Sequence, residues 1–525
     1  MKSLKYKIAS LAILATVSLG CKKQFDSAVQ NKNLPISGLS PALLLPNIET
    51  SMLAPAFGQD ERQNQYTACN YFYYGDNRYW TGSASLSYTP LTNVVAMEGE
   101  ANALAATLSK PYLALAKFFR AFYFVNMSLK VGDLPMTQAL QGLKNTTPVY
   151  DTQKQIFINS LALLESANKD LGEMIAVNKI TQGTYVVDSK YDFFYKGDLL
   201  KWQKAINTYR LRILISLSKK VSDADLNVKG QFASILGDAV KYPIMTSMDD
   251  NLQYIYDGVF TFYPNSSRNF GNDATRYNTG ATYINLLASL KDLRVMKVAE
   301  PARGLKFDDT DFRSFVGGIS GQDQSTMAAL VQAGKVSLIG RHRYYETLVG
   351  ENTFIVSYPE MCFNIAEAIN QGWVGGNAET WYKNGIFADF GFYGVNDGAN
   401  TVLFQKSGGL LGDDVSYNVN FSYNDYYNQP AVKYAGNNVD GWKQILTQKY
   451  IAFARNSGME AYYQWRRTGV PTFSVGAGNT DNGAIPLRFQ YPTNERSANA
   501  ANYKAAVQSQ YGGSDDIFQL MWLLK

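Results

Sequence analysis

Between Tyr71 and Trp80 the chain reads Tyr71-Phe72-Tyr73-Tyr74-Gly75-Asp76-Asn77-Arg78-Tyr79-Trp80, so flat rings, an amide, a carboxylate and a guanidinium fall within ten residues. A sugar ring offers apolar C–H faces and a belt of hydroxyls. Tyr and Trp match the faces, while Asn, Asp and Arg match the hydroxyls. Tyr73, Tyr74, Asn77, Arg78 and Trp80 are therefore the leading ligand-binding candidates. A second run, Phe262-Tyr263-Pro264-Asn265-Ser266-Ser267-Arg268-Asn269, repeats the combination and adds Phe262, Tyr263 and Asn265. A third, from Phe421 to Tyr427, has the same character. The competing role for any one ring is to anchor a long loop, so the clusters carry the argument rather than their members. Two rings burying about 60 Å² each would contribute ~1.5 kcal/mol apiece. That total, roughly 3 kcal/mol before hydrogen bonds, places capture near the millimolar scale. Such binding holds a cargo briefly and releases it.

Turnover finds less support. His342 is the only histidine in the chain, and histidine is the usual general acid/base and the commonest metal ligand. A two-histidine metal helix is impossible and no Cys-x-x-Cys occurs, so neither a metal site nor a cofactor is expected. Between Arg341 and Arg343, His342 reads as a surface or packed residue. Ser216-Leu217-Ser218-Lys219 fits Ser-x-x-Lys, but it closes an amphipathic helix and lacks the companion Lys-Thr-Gly. Gly-x-Ser-x-Gly is absent, and Asp308, Asp309 and Asp311 read as a solvated loop. A glycoside hydrolase needs two carboxyls roughly 5–9.5 Å apart. With 44 acidic residues chance pairs are plentiful, so a surface glycoside hydrolase is the lesser reading.

Composition narrows the class. Charged residues make up 18% and aromatics 14% of the 525 residues, the reverse of what disorder needs. The net charge of +5 falls to +2 once Lys2, Lys5 and Lys7 are set aside, too little for a nucleic-acid footprint. Three cysteines, Cys21, Cys69 and Cys362, cannot build a disulfide framework. Cys69 and Cys362 are either one pair or two buried thiols, and the second is favoured.

Residues 1–20 read as an address. Three lysines precede the apolar stretch Ile8–Leu19, and Ser18-Leu19-Gly20 leads into Cys21. A basic start, a short apolar run and small residues at the cut describe a secretory signal. The run is too short for a membrane span, which takes roughly 20 residues. Cysteine after small residues resembles a bacterial lipobox, which would make Cys21 the lipidated first residue of the mature chain. An ordinary leader followed by an incidental cysteine is the alternative. Several acyl chains hold a protein on a bilayer where one does not. Residues 21–35 then form a lipidated polar tether, and residues 36–525 form the body.

The elements that must position the candidates are mostly helical. Ser109-Lys110-Pro111 opens a helix to Leu129 that is apolar nearly all round, as a core helix is. Asp198 caps an amphipathic helix to Lys219, with Trp202, Ile206, Tyr209, Ile213 and Leu217 on one face. Further helices are expected over Ile156–Leu171, Pro359–Gln371, Asn377–Phe390, Gly441–Ala454 and Met459–Thr468. Between them lie long Tyr-, Asn-, Gly- and Ser-rich stretches, among them 69–92, 252–280 and 395–437; loops of this length are often functional. The body is mainly α, with large irregular aromatic-rich loop insertions.

Several segments, in this order, resemble the SusD/RagB family of outer-membrane nutrient-binding lipoproteins. They are Phe119-Arg120-Ala121-Phe122-Tyr123 with Gly132-Asp133-Leu134-Pro135; Tyr195 to Trp202, continuing through Asn207 to Arg212; and Asp292-Leu293-Arg294, where leucine replaces the family's proline. Ala366-Glu367-Ala368, Glu460 to Pro471 and Ile485 to Glu495 complete the series. The resemblance spans the mature chain and is nearest the starch-binding-associated, SusD-like branch. It implies a scaffold of tetratricopeptide-type helix pairs, with loops carrying the ligand site, and no enzymatic activity. It also implies a TonB-dependent, SusC-like barrel transporter as partner, to which an outer-membrane, outward-facing lipoprotein passes oligosaccharides. Peptide cargo is the alternative within the same uptake system. The motif arginines, Arg210, Arg212, Arg466 and Arg467, are expected to satisfy carbonyls and carboxylates rather than touch cargo.

Overall fold

The computed structural model describes residues 39–454, 458–479 and 483–525. The signal segment, Cys21 and the tether lie outside the described residues.

In chain order the helices that matter here are α1 (Tyr88–Asn102), α2 (Ala106–Val131), α3 (Gln153–Ile180), α4 (Leu199–Ser216), α5 (Val228–Gly237), α6 (Phe270–Arg276), α7 (Arg341–Tyr345), α8 (Tyr358–Asn370), α9 (Ala378–Phe392), α10 (Val439–Ala452) and α11 (Glu460–Thr468). Neighbours pack as hairpins: α1 on α2, α2 on α3, α3 on α4, and α8 on both α9 and α10. The fold is thus mainly α, built of tetratricopeptide-like helix pairs. Among the described residues no helix is long and apolar enough to cross a membrane.

Local chemistry explains the boundaries. Asp198 accepts the amides of Leu200 and Lys201 at 2.9 and 3.0 Å, satisfying free donors at the start of α4. Asn377 accepts the amide of Thr380 at 3.1 Å to open α9. Gly372, at φ 67°, follows α8 with a left-handed turn that glycine adopts at no steric cost. Two boundaries differ most from the sequence reading. α2 begins at Ala106, with Ser109 buried and Pro111 inside the helix; the proline removes one backbone hydrogen bond without ending it. α3 runs on from Leu171 to Ile180 because Met174 continues its buried face and Glu173, Ala176 and Lys179 are good helix formers.

The core joins α2 to α4. Phe118 and Phe119 meet the Trp202 ring edge-on at 5.6 and 5.7 Å, and the Trp202 indole N–H donates to Asp192 at 2.8 Å. Asp192 is itself buried, where it accepts the amides of Phe194, Tyr195 and Gly197.

The motif arginines hold this scaffold. Arg210 pairs with Glu165 at 2.7 Å, and Arg212 pairs with Glu360 and, at 3.4 Å, with Glu460. Arg466 donates to the carbonyls of Leu129 and Leu487, both at 2.9 Å, and Arg467 grips Glu367 at 2.6 and 3.0 Å. Cys69 and Cys362 are buried and unpaired. Burial pushes their thiols up to about 11 and about 12, so both stay protonated and unreactive.

Among the described residues three two-stranded antiparallel sheets tie the insertions down: β1 (Thr67–Cys69) with β3 (Tyr277–Thr279), β2 (Leu252–Tyr254) with β4 (Thr353–Val356), and β5 (Gly398–Gln405) with β6 (Asp414–Phe421). The last pair corrects the reading of 395–437 as an irregular loop. Asn400, Val402 and Phe404 alternate inward along β5, but a polar residue at the inward position 400 and the apolar Leu403 between the inward positions obscured that period.

Asp133, in the Gly132-Asp133 turn, accepts the Gln153 amide at 2.7 Å where α3 begins. Burial lifts its carboxyl to about 6 against that hydrogen bond. The folded chain therefore keeps a proton that the unfolded chain releases near ~3.9. The associated stabilisation is complete below the unfolded value and is lost as pH rises through about 6, a change of about 3 kcal/mol. Asp133→Asn keeps the acceptor and removes the titration. Its melting temperature should lack the component of gain on acidification from pH 7 to 4 that the parent shows; parallel pH profiles would disprove the assignment.

Candidate ligand-binding face

The two leading clusters come together because β1 pairs with β3, Thr67 opposite Thr279 and Cys69 opposite Tyr277. The chain leaving β1 turns through Phe72–Tyr74 and then reverses at Gly75, φ 145°, where a Cβ would lie 2.4 Å from the Arg62 guanidinium. Arg62 fixes the turn from beneath, donating to the Asp76 carbonyl at 3.1 Å and the Phe57 carbonyl at 2.9 Å.

This frame divides the first cluster. Tyr71, Phe72 and Tyr73 face solvent, Tyr73 at 85% exposure, and Tyr74 is half-buried beside them. Tyr73 meets Tyr74 edge-on at 5.3 Å, and Tyr74 meets Tyr277 of β3 edge-on at 5.5 Å. The Arg276 guanidinium lies over the Tyr71 ring at 5.2 Å. The Tyr74 hydroxyl faces Asp273, which accepts from the Asn269 amide at 2.6 Å. Burial raises the Asp273 carboxyl, with the neighbouring Tyr74 hydroxyl and Asn269 amide opposing. Arg78 is exposed and held in a bidentate pair with Asp76, its Nη2 at 2.6 Å.

Asn77 and Trp80 do not belong to the exposed surface. Asn77 is 4% exposed, and both ends of its amide are spent on the Cys69 backbone, at 2.7 Å to the N–H and 2.6 Å to the carbonyl. Trp80 stacks on Phe489 at 3.8 Å, and its indole N–H donates to the Arg488 carbonyl at 2.9 Å. Both are anchors, as the competing role for a single loop residue anticipates.

The second cluster divides likewise. Phe262 is half-buried beneath the Arg268 guanidinium at 3.9 Å. Tyr263 is buried against Phe57, Tyr256 and Tyr344. Asn265 is buried and donates to the Tyr345 hydroxyl at 3.3 Å. Phe57 also packs on Tyr277 at 5.7 Å, so both loops root in one aromatic knot. In the third cluster Tyr426 and Tyr427 are buried. Arg276, Asp273 and Tyr277 were missed as site candidates, because only the pairing of strands distant in sequence brings them to Tyr71 and Tyr74.

The scaffold also holds a cavity of about 190 Å³ lined by Met52, Phe122, Asn126, Arg212, Glu460 and Tyr463. In its wall Arg212 and Glu460 are paired with each other at 3.4 Å.

The profile of a SusD-like family described as "Starch-binding associating with outer membrane" matches residues 44–492. The chain belongs to this family. It is accordingly a nutrient-binding protein associated with the outer membrane, and not an enzyme. A SusD homologue of Bacteroides fragilis has a TM-score of 0.79 at 27% identity, covering 93% of this chain and 100% of its own. Another from the same species has a TM-score of 0.76 at 28% identity, covering 93% and 99%. A chitin-binding SusD homologue of Flavobacterium johnsoniae shares the fold, with a TM-score of 0.66 at 20% identity over 93% of this chain and 98% of its own. No curated protein matches the chain.

Proposed function

We propose that this protein captures oligosaccharides on the exposed face formed by Tyr71, Phe72, Tyr73 and Tyr74, with Arg78, Asp273 and Arg276 supplying hydrogen bonds. It is held outside the cell by a lipid on Cys21 and passes its cargo to a TonB-dependent barrel in the outer membrane. The observation that carries the reading is an exposed ring, Tyr73, mounted on a turn that Arg62 and Asn77 hold rigid. Large apolar rings on a preorganised frame lose little entropy on binding. The chitin-binding relative of the same fold and the starch-binding description of the family both favour glycan over peptide.

Glycan and peptide arrays probed with the purified protein test the cargo. Glycan hits with no peptide hits are expected; the reverse would overturn the choice. On a bound glycan, Tyr73→Ala should weaken affinity about tenfold, and Tyr73→Ala with Tyr74→Ala about a hundredfold, from ~1.5 kcal/mol per ring. Tyr73→Ala should leave the melting temperature unchanged, since its ring is solvent-exposed. Undiminished affinity in the double variant would move the site elsewhere.

A further inference from the structure

His342 and Glu346 lie one helical turn apart, at the start of α7 and just past its end, and both face the first residue of β6, Asp414. The His342 Nδ1 atom is 2.7 Å from Glu346 Oε2 and 3.1 Å from Asp414 Oδ2. One ring nitrogen, carrying at most one proton, thus stands between two carboxylates. The potential ligand atoms of all three residues lie within 4.8 Å of one another. The remaining oxygens, Glu346 Oε1 and Asp414 Oδ1, are buried and accept no hydrogen bond from the described residues. The cluster therefore carries more acceptor capacity than the protein satisfies.

We propose that His342, Glu346 and Asp414 bind one divalent transition-metal ion that ties the β5–β6 hairpin to α7. An imidazole with two carboxylates suits zinc and its neighbours better than calcium or magnesium, which take oxygen ligands alone. Two carboxylates and a neutral imidazole offset the charge of a divalent ion. Zinc bonds of about 2.0–2.2 Å in a tetrahedron set ligand atoms roughly 3.3 Å apart. The observed 3.1 Å needs to open by about 0.2 Å and the observed 2.7 Å by about 0.6 Å once the metal replaces the proton. His342 is 49% exposed, which leaves the fourth position open to water.

A lone histidine and the lack of Cys-x-x-Cys exclude two-histidine helices and thiolate sites, but not a site completed by carboxylates. Here the third ligand comes from a strand that the helix reaches through tertiary contact.

The consequence reaches the ligand face. An adjoining face of α7 holds α6, which carries Asp273 and Arg276: Arg341 donates to the Ala274 carbonyl at 3.0 Å, and Tyr345 packs on Phe270 at 5.6 Å. A metal pinning β6 to α7 would stiffen the support of α6, a consequence that, unlike the metal site itself, rests on the proposed ligand face.

The test is a zinc titration of chelator-stripped, full-length protein by calorimetry, without glycan. One equivalent should bind, and zinc should raise the melting temperature. His342→Gln and Asp414→Asn should each weaken binding about a hundredfold and abolish the thermal shift, with unchanged circular dichroism. Tyr73→Ala should bind zinc as the parent does, which separates this result from failure of the glycan site. Because His342 is the only histidine, its variant reports on this site directly. The absence of stoichiometric zinc uptake by the parent, or uptake indifferent to both substitutions, would overturn the proposal.

Discussion

Arg294→Met should destabilise the protein by about 3–5 kcal/mol, the cost of leaving buried charge uncompensated. The Arg294 side chain is 1% exposed and grips two fully buried carboxylates. Its Nε lies 2.9 Å and its Nη2 2.5 Å from Asp292, while Nη1 donates to Asp389 on α9. The Phe390 ring covers the guanidinium at 4.4 Å, and the Tyr426 hydroxyl donates to Asp292 at 2.8 Å. One cation therefore joins the Asp292–Arg294 turn, α9 and the segment after β6. Methionine fills much of the volume but strands Asp292 and Asp389 together. Chemical denaturation measures the loss. Adding Asp292→Asn and Asp389→Asn to the variant should recover part of it, because the stranded charges go. A loss under 1 kcal/mol would mean that the carboxylates find other partners.

Trp80→Ala should also cost about 3–5 kcal/mol, as truncation of a buried ring does. Trp80 is 8% exposed, stacked on Phe489 and set edge-on against Tyr462 at 5.2 Å. The substitution empties the joint between the first aromatic loop and the C-terminal segment and strands the Arg488 carbonyl that its indole N–H serves. The melting temperature should fall sharply, and any glycan affinity lost should fall with it. Tyr73→Ala should show the opposite pattern, affinity lost at constant stability. A Trp80→Ala variant that keeps its melting temperature yet loses ligand would return Trp80 to the binding surface.

Much of the scaffold was legible because its signals are local. The Asp198 and Asn377 caps, the four- and three-residue spacing from Trp202 to Ile213 and the glycine after α8 each act within a few residues. A cap or an amphipathic face does not depend on distant chain. The β5–β6 hairpin was less legible, since its inward positions include Asn400, a polar residue whose amide closes a local turn on Asn396 and Gly398.

The aromatic clusters were found by residue type, but type does not say which way a side chain points. Asn77 has the chemistry of a sugar ligand and spends it on Cys69; Trp80 has the right ring and buries it. Tyr73, of the same type as its buried neighbour Tyr79, stands in solvent.

By itself, then, the order of residues determined a mainly helical body of the SusD-like family and the aromatic loops in which a ligand site would lie. Only the tertiary structure decided that Tyr71 and Tyr74 meet Arg276 and Asp273, and that His342 meets Asp414. Helix periodicity is written into neighbouring residues, whereas a binding face is set by which remote strands pair and which side of each loop that pairing leaves to water.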